Sequence, residues 1–90
     1  MITYGFAFNY SDLATFDQLF IYPSCYLYVS GNAGNIVYEN NAGEAQYFPN
    51  AQQYSFLPIA ARRVLSSGTV NGISRNTTAT GIVYGSTTPP

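Results

Sequence analysis

The chain has no lysine, no histidine and no tryptophan, one cysteine, and only seven residues charged at neutral pH: Arg62, Arg63 and Arg75 against Asp12, Asp17, Glu39 and Glu44. Charged residues are 8% of the sequence, where an ordinary soluble domain carries roughly 25%. Each shortage excludes something. A net charge of −1 cannot neutralise a run of phosphates, so neither nucleic-acid binding nor attachment to an anionic membrane surface is expected. Without histidine the commonest general base and metal ligand are missing. Cys25 has no internal disulfide partner and no CxxC spacing for zinc, and is expected as a small buried hydrophobe. No catalytic residue, cofactor or metal is therefore expected, which argues against an enzyme. No apolar run approaches the ~20 residues of a membrane span, and no basic residue precedes an apolar segment near Met1, so neither a span nor a secretory signal is expected. The chain is expected to be made and kept in a reducing cytoplasm until assembly.

What replaces charge is neutral polarity and aromatic carbon. Ser, Thr and Asn occur eight times each and Gln four times, beside nine Tyr and six Phe. At 47% hydrophobic and 17% aromatic the chain has the apolar content to fold, unlike a disordered segment, and 90 residues make one small domain. Sheet edges are normally kept apart by charged side chains, so a chain this poor in them is expected to have its edges covered by a partner.

Apolar periodicity points to strands. Ile2, Tyr4, Phe6, Phe8 and Tyr10 alternate with Thr3, Gly5, Ala7, Asn9 and Ser11, the period of an extended strand with one aromatic face. This row, with Arg62 and Arg63, forms the candidate partner-binding set; the alternative for the row is packing on its own domain's core. After Ser11-Asp12 the spacing of Leu13, Phe16, Leu19 and Phe20 fits either a helical turn ended by Pro23 or an irregular extended arm. From Cys25 onward, short β-rich runs alternate with turn signals, as in an all-β sandwich or small barrel. Cys25–Val29 is expected to turn Cys25, Leu27 and Val29 inward and Tyr26 and Tyr28 outward. Gly31-Asn32-Ala33-Gly34 and Asn40-Asn41-Ala42-Gly43 then join it to runs at 35–39 and 44–48 as a three-strand meander, the glycines supplying positive φ. The run 54–59 reads as an edge or bulged strand because it contains Pro58. Asn71-Gly72 is the strongest hairpin signal, since a type I′ turn needs positive φ at both central positions. The last strand spans 79–84.

The charged residues invite pairing hypotheses. Asp12 and Asp17 are expected to cap or be solvated rather than act as paired acids. Glu39 and Glu44 flank one turn and are expected to be solvated there. Arg62 and Arg63 on a strand would point to opposite faces, one to solvent and one to an ion pair with Glu39, Glu44 or a partner subunit. Asn76-Thr77-Thr78 matches a glycosylation sequon, which carries no weight without a secretory signal.

From Tyr26 to Tyr84 the order Leu27-Tyr28-Val29 with Gly34-Asn35-Ile36-Val37, Tyr47-Phe48-Pro49-Asn50, Phe56-Leu57-Pro58-Ile59, Arg62-Arg63-Val64, Gly68-Thr69 and Thr78-Ala79-Thr80-Gly81-Ile82-Val83 resembles a small virion-protein family of tailed phages and gene transfer agents, of the capsid-decoration or head spike-base type. The resemblance covers about two thirds of the chain. Residues 70–75 look like an insertion against it, and the first two dozen residues are longer and more aromatic. It implies a compact β-sandwich that oligomerises on a capsid exterior or beneath a head spike, and it carries over no catalytic residue.

The combined expectation is a small antiparallel, jelly-roll-like β-sandwich at 25–84, preceded by an amino-terminal arm at 1–24 and followed by a flexible tail at 85–90. Its expected role is structural: a homo-oligomer, a trimer by expectation, bound to the major capsid protein on the outside of a virion as a decoration, cement or spike-base protein. The rival expectation is a host-surface or glycan-binding module of a phage tail or spike, with exposed tyrosines as its platform.

Overall fold

The computed structural model describes residues 2–7, 17, 19 and 24–87. It is all-β and antiparallel, and no helix occurs among the described residues. The strands are β1 (Ile2–Ala7), β2 (Ser24–Val29), β3 (Gly34–Glu39), β4 (Ala45–Ala51), β5 (Phe56–Leu57), β6 (Arg63–Leu65), β7 (Ser67–Val70), β8 (Ile73–Asn76) and β9 (Ile82–Thr87). One sheet has the order β1-β9-β2-β5, a second the order β4-β3-β6, and β7-β8 form a separate hairpin.

Period-two burial in β2 and β9 places Leu27, Val29, Ile82 and Tyr84 on the inner face of the first sheet. There they meet Ile36 and Val64 of the second, with Leu57, Ile59, Ala61 and Ala79 filling the margins. Ile36 and Val37 are consecutive, point to opposite faces, and are both fully buried. Ile36 belongs to the inter-sheet core. Val37 looks the other way, onto the β7-β8 hairpin, where an added Cβ at Gly68 would lie 3.3 Å from its Cγ1. β3 is thus covered on both sides, which is why two adjacent β-branched residues can both be buried in one strand.

The expected three-strand meander does not form. β3 and β4 pair as a hairpin, closed by Asn40, whose Oδ1 accepts the amides of Ala42 and Glu44 at 3.0 and 2.9 Å. β2 instead lies in the opposite sheet, and the chain crosses between sheets through residues 30–33. The glycines of that crossing do not serve positive φ, which is found at Gly43, Gly72 and Gly81. They serve close approach: a Cβ on Gly31 would come within 2.6 Å of the Thr80 carbonyl oxygen, and one on Gly34 within 2.6 Å of the Ala79 nitrogen.

The segment 77–81 binds this crossing by hydroxyls as well as backbone. Thr77, Thr78 and Thr80 accept the amides of Val37, Asn35 and Asn32 through Oγ1, each at 2.8 Å. Thr78 and Ala79 amides donate to the Asn35 carbonyl at 2.8 and 3.1 Å, and Gly31 donates to Thr80 at 3.1 Å.

Other expectations fare differently. The Asn71-Gly72 hairpin forms as read, with φ of 52° and 80°. β5 is an edge strand immediately before Pro58. β4 continues past its expected end at Phe48 through Pro49 and a left-handed Asn50 to Ala51. The last strand starts later and runs farther than expected: Ser86 and Thr87 pair with β1, and Ser86 also pairs with Ser24 of β2. Residues 85–87 therefore complete the sheet instead of leaving it. β1 pairs with β9 of its own chain, Ile2 opposite Thr87 and Tyr4 opposite Gly85, with a register shift before Ala7. Phe8, Tyr10, Asp12 and most of the segment read as helical turn or extended arm lie outside the described residues.

Candidate functional site

Charge is distributed unequally between the sheets. The four strands of the first sheet contain no Asp, Glu or Arg. Glu39, Arg63 and Arg75 lie on β3, β6 and β8, and Glu44 and Arg62 lie in the connections around them.

Those charges are also satisfied internally. Glu39 Oε1 accepts the Nε–H of Arg62, and Arg63 Nε lies 3.2 Å from the same oxygen without an aligned hydrogen bond. The expectation that the two arginines diverge fails because Arg62 sits in the bend before β6, where strand alternation does not apply, and its amide also donates to the Glu39 carbonyl at 2.9 Å. Both side chains thus meet one carboxylate on the neighbouring strand. Arg75 is stacked over the Tyr47 ring, 4.5 Å from its centroid; such a contact contributes about 0.5–1 kcal/mol at an exposed site. Glu44 accepts from the Asn40 side-chain amide at 3.3 Å. Asp17 binds the amide and hydroxyl of Ser66, each at 3.2 Å, and its own amide donates to the Val64 carbonyl at 2.8 Å, along the outer edge of β6. Across the hairpin Glu39 stands opposite Ala45, not Glu44.

On the first sheet, Tyr26 and Tyr28 alternate with buried Leu27 and Val29, as the sequence predicts. The structure adds Phe56. β5 sets it opposite Tyr28, and its ring stands 4.6 Å from that of Tyr28 and 5.2 Å from that of Tyr26 in an edge-on contact. Such ring pairs contribute about 0.5–1.5 kcal/mol beyond their buried area. The cluster is nonetheless open, since Phe56 is 64% exposed and Tyr54, beside it on the preceding turn, is 67% exposed. Tyr54 has φ of 61°, a left-handed conformation that costs a bulky residue on the order of 1 kcal/mol or more. Its amide donates to the Val29 carbonyl at 2.6 Å, and Ser55 accepts the Val29 amide at 3.2 Å, pinning the turn to β2.

Tyr26 is accommodated by a missing side chain. Gly85 lies opposite it on β9, and a Cβ there would fall inside the Tyr26 ring. Cys25, expected to be buried, is half-buried at the β2 register shift and its Sγ–H donates to the Gly85 carbonyl at 3.4 Å. The buried position goes to Ser24, whose hydroxyl donates to the Ile59 carbonyl and accepts the Ala61 amide, both at 2.9 Å.

The site that emerges is an uncharged sheet face carrying Tyr26, Tyr28 and Phe56, with Tyr54 at its margin. Of the residues singled out from sequence, Tyr4 and Phe6 lie on β1 of this same sheet, whereas Arg63 lies on β6 of the other and Arg62 in the bend before it, both directed at Glu39. Phe56 was not legible as part of it, because its partnership with Tyr28 depends on a long-range register. No family model, no curated protein and no solved structure matches the chain.

Proposed function

We propose that this chain is a virion structural protein of a tailed phage or gene transfer agent, self-associating and bound to the outer capsid surface as a decoration, cement or spike-base protein. The observation that supports this reading best is the complete absence of ionised side chains from the four strands of the first sheet, on which half-buried Tyr26 and Tyr28 pack against exposed Phe56. An open aromatic patch in a surface without charge is the composition of an interface core, where aromatics are enriched and charged groups depleted. The charged residues described are engaged within the chain, which leaves aromatic area and backbone edges as the means of attachment. The role is mechanical, and no residue is assigned to catalysis.

The test is co-sedimentation of purified protein with empty, tail-free heads of the particle that encodes it. The wild type is expected to pellet with heads, and the Tyr28→Ser/Phe56→Ser double variant to stay in solution with an unchanged circular dichroism spectrum. Equal pelleting of both would overturn the assignment of the face.

A glycan-binding reading draws on the exposed Tyr54 ring, since ring faces also stack on sugar C–H faces. Binding of the free protein to host-surface sugar, lost in Tyr54→Ser and accompanied by indifference to heads, would favour it.

A further inference from the structure

Two sheets of three or four strands have four edges, and three of these are closed in recognisable ways. β5 is two residues long and is followed at once by Pro58, which has no N–H to offer a further strand. β6 is covered along its outer side by Asp17, through the Val64 carbonyl and Ser66 amide. β4 is irregular at its end, where Pro49 has no N–H to offer and Asn50 is left-handed, and Tyr47 on it is stacked by Arg75 of the hairpin. Short strands, prolines, irregular backbone and covering segments are the ordinary means by which sheets avoid joining one another.

The fourth edge is β1. It is six residues long, Ile-Thr-Tyr-Gly-Phe-Ala, with no proline and no side chain ionised at neutral pH. Its inner side pairs with β9, and among the described residues nothing pairs with its outer side. The strands of the sheet behind it are equally free of charge, so two copies joined edge to edge set no like charges against each other on these strands.

We propose that the occupant of this edge is the β1 strand of a second copy, paired antiparallel across a two-fold axis so that two four-stranded sheets become one. A strand meeting itself antiparallel is an isologous contact, in which each residue of one copy finds the matching residue of the other, and it closes at two copies. Backbone hydrogen bonds supply direction, and the union doubles the uncharged face that carries Tyr26, Tyr28 and Phe56. This inference rests on the proposed self-association and deepens it, replacing the expected three-fold unit by a two-fold one. Its failure leaves the capsid reading standing.

The experiment is a single-cysteine scan of Thr3, Tyr4, Gly5 and Phe6 in full-length protein carrying Cys25→Ser, with Ile73→Cys at the hairpin tip as the control. Directly opposed residues of an antiparallel pair have Cα atoms about 4.5–5.5 Å apart, within the span of a disulfide. Mild oxidation is expected to link one or two adjacent positions into covalent dimers well beyond the control, while wild type sediments as a dimer. A monomer or a trimer in sedimentation overturns the proposal. So does a dimer in which no β1 position self-links above the control, the result expected if β1 instead exchanges onto a neighbour's β9. Loss of head binding in the Tyr28→Ser/Phe56→Ser variant is judged separately and does not depend on the cross-links.

Discussion

The Thr77 hydroxyl accepts the amide of Val37 at 2.8 Å in the buried interior, and it donates to the Leu65 carbonyl at 2.6 Å. Val37 and Leu65 are opposed residues of β3 and β6, so one hydroxyl bridges the place where β6 leaves the second sheet to enter the hairpin. Thr77→Val keeps the shape and removes both bonds, leaving a buried amide and carbonyl without this partner. The expected loss is about 1–3 kcal/mol, the cost of desolvated backbone groups left unpaired. Thr77→Ser keeps the hydroxyl and is expected to lose less. Urea midpoints of the two variants decide the point: if valine is tolerated as well as serine, the hydroxyl has no role in joining the sheets.

Legibility in the residues differs from element to element. The Asn71-Gly72 turn could be read directly because positive φ at two successive positions leaves few residue choices, and the burial of Leu27 and Val29 in β2 followed from period two, which fails only at Cys25, where the register shift buries Ser24 instead. The strand pairing order could not be read. Residues 35–39 and 44–48 have a turn between them that makes a hairpin, yet Gly31-Asn32-Ala33-Gly34 looks equally like a turn and is a crossing between sheets. What distinguishes it is the approach of Thr78 and Thr80, some 45 residues away in sequence. In the same way, Phe56 gave no sign that it would stand against Tyr28, and alternation alone misplaced Arg62 because it assumed a strand that already includes Arg62, whereas β6 starts at Arg63. Local signals reached the turns and the strand faces; the site required long-range register.

Glu39 serves two guanidinium groups at once, and its side chain is 17% exposed, against 39% and 29% for Arg62 and Arg63. Glu39→Gln removes the counter-charge of both. It is expected to cost about 1–2 kcal/mol, below the 3–5 kcal/mol of breaking a fully buried pair because both arginines reach solvent. Arg62→Ala is expected to cost less, since Arg63 still balances the carboxylate. Added salt should narrow the difference. Equal denaturation midpoints for Glu39→Gln and Arg62→Ala would show that the shared carboxylate has no special weight.

Gly85 and Tyr26 form a pair of the opposite kind, a void and the ring that fills it. Gly85→Ala puts a methyl where the ring lies, and overpacking of this sort costs about 1–3 kcal/mol. In Tyr26→Ala the obstruction is gone, so adding Gly85→Ala to it should cost little or nothing. The double-mutant cycle should therefore be strongly non-additive, read from urea midpoints of the four proteins. Additive losses would place the glycine requirement in the backbone instead of beneath the ring.

Tyr84 lies in the inter-sheet core, 4% exposed, and burial raises its phenol above the ordinary tyrosine value of 10.0 by penalising the phenolate. Below that value both folded and unfolded chains hold the proton, and the group confers no pH dependence. Above it the unfolded chain releases the proton while the folded chain retains it, so ionisation draws the equilibrium toward unfolding until the raised folded value is passed. Stability is expected to be flat across neutral pH and to fall as pH rises past 10.0. Tyr84→Phe removes the titrating group and should flatten that alkaline limb, whatever it does to stability at neutral pH. Parallel urea titrations of wild type and variant through this range provide the measurement. An identical alkaline slope in the two proteins would mean that other phenols govern the transition and that Tyr84 ionises as freely folded as unfolded.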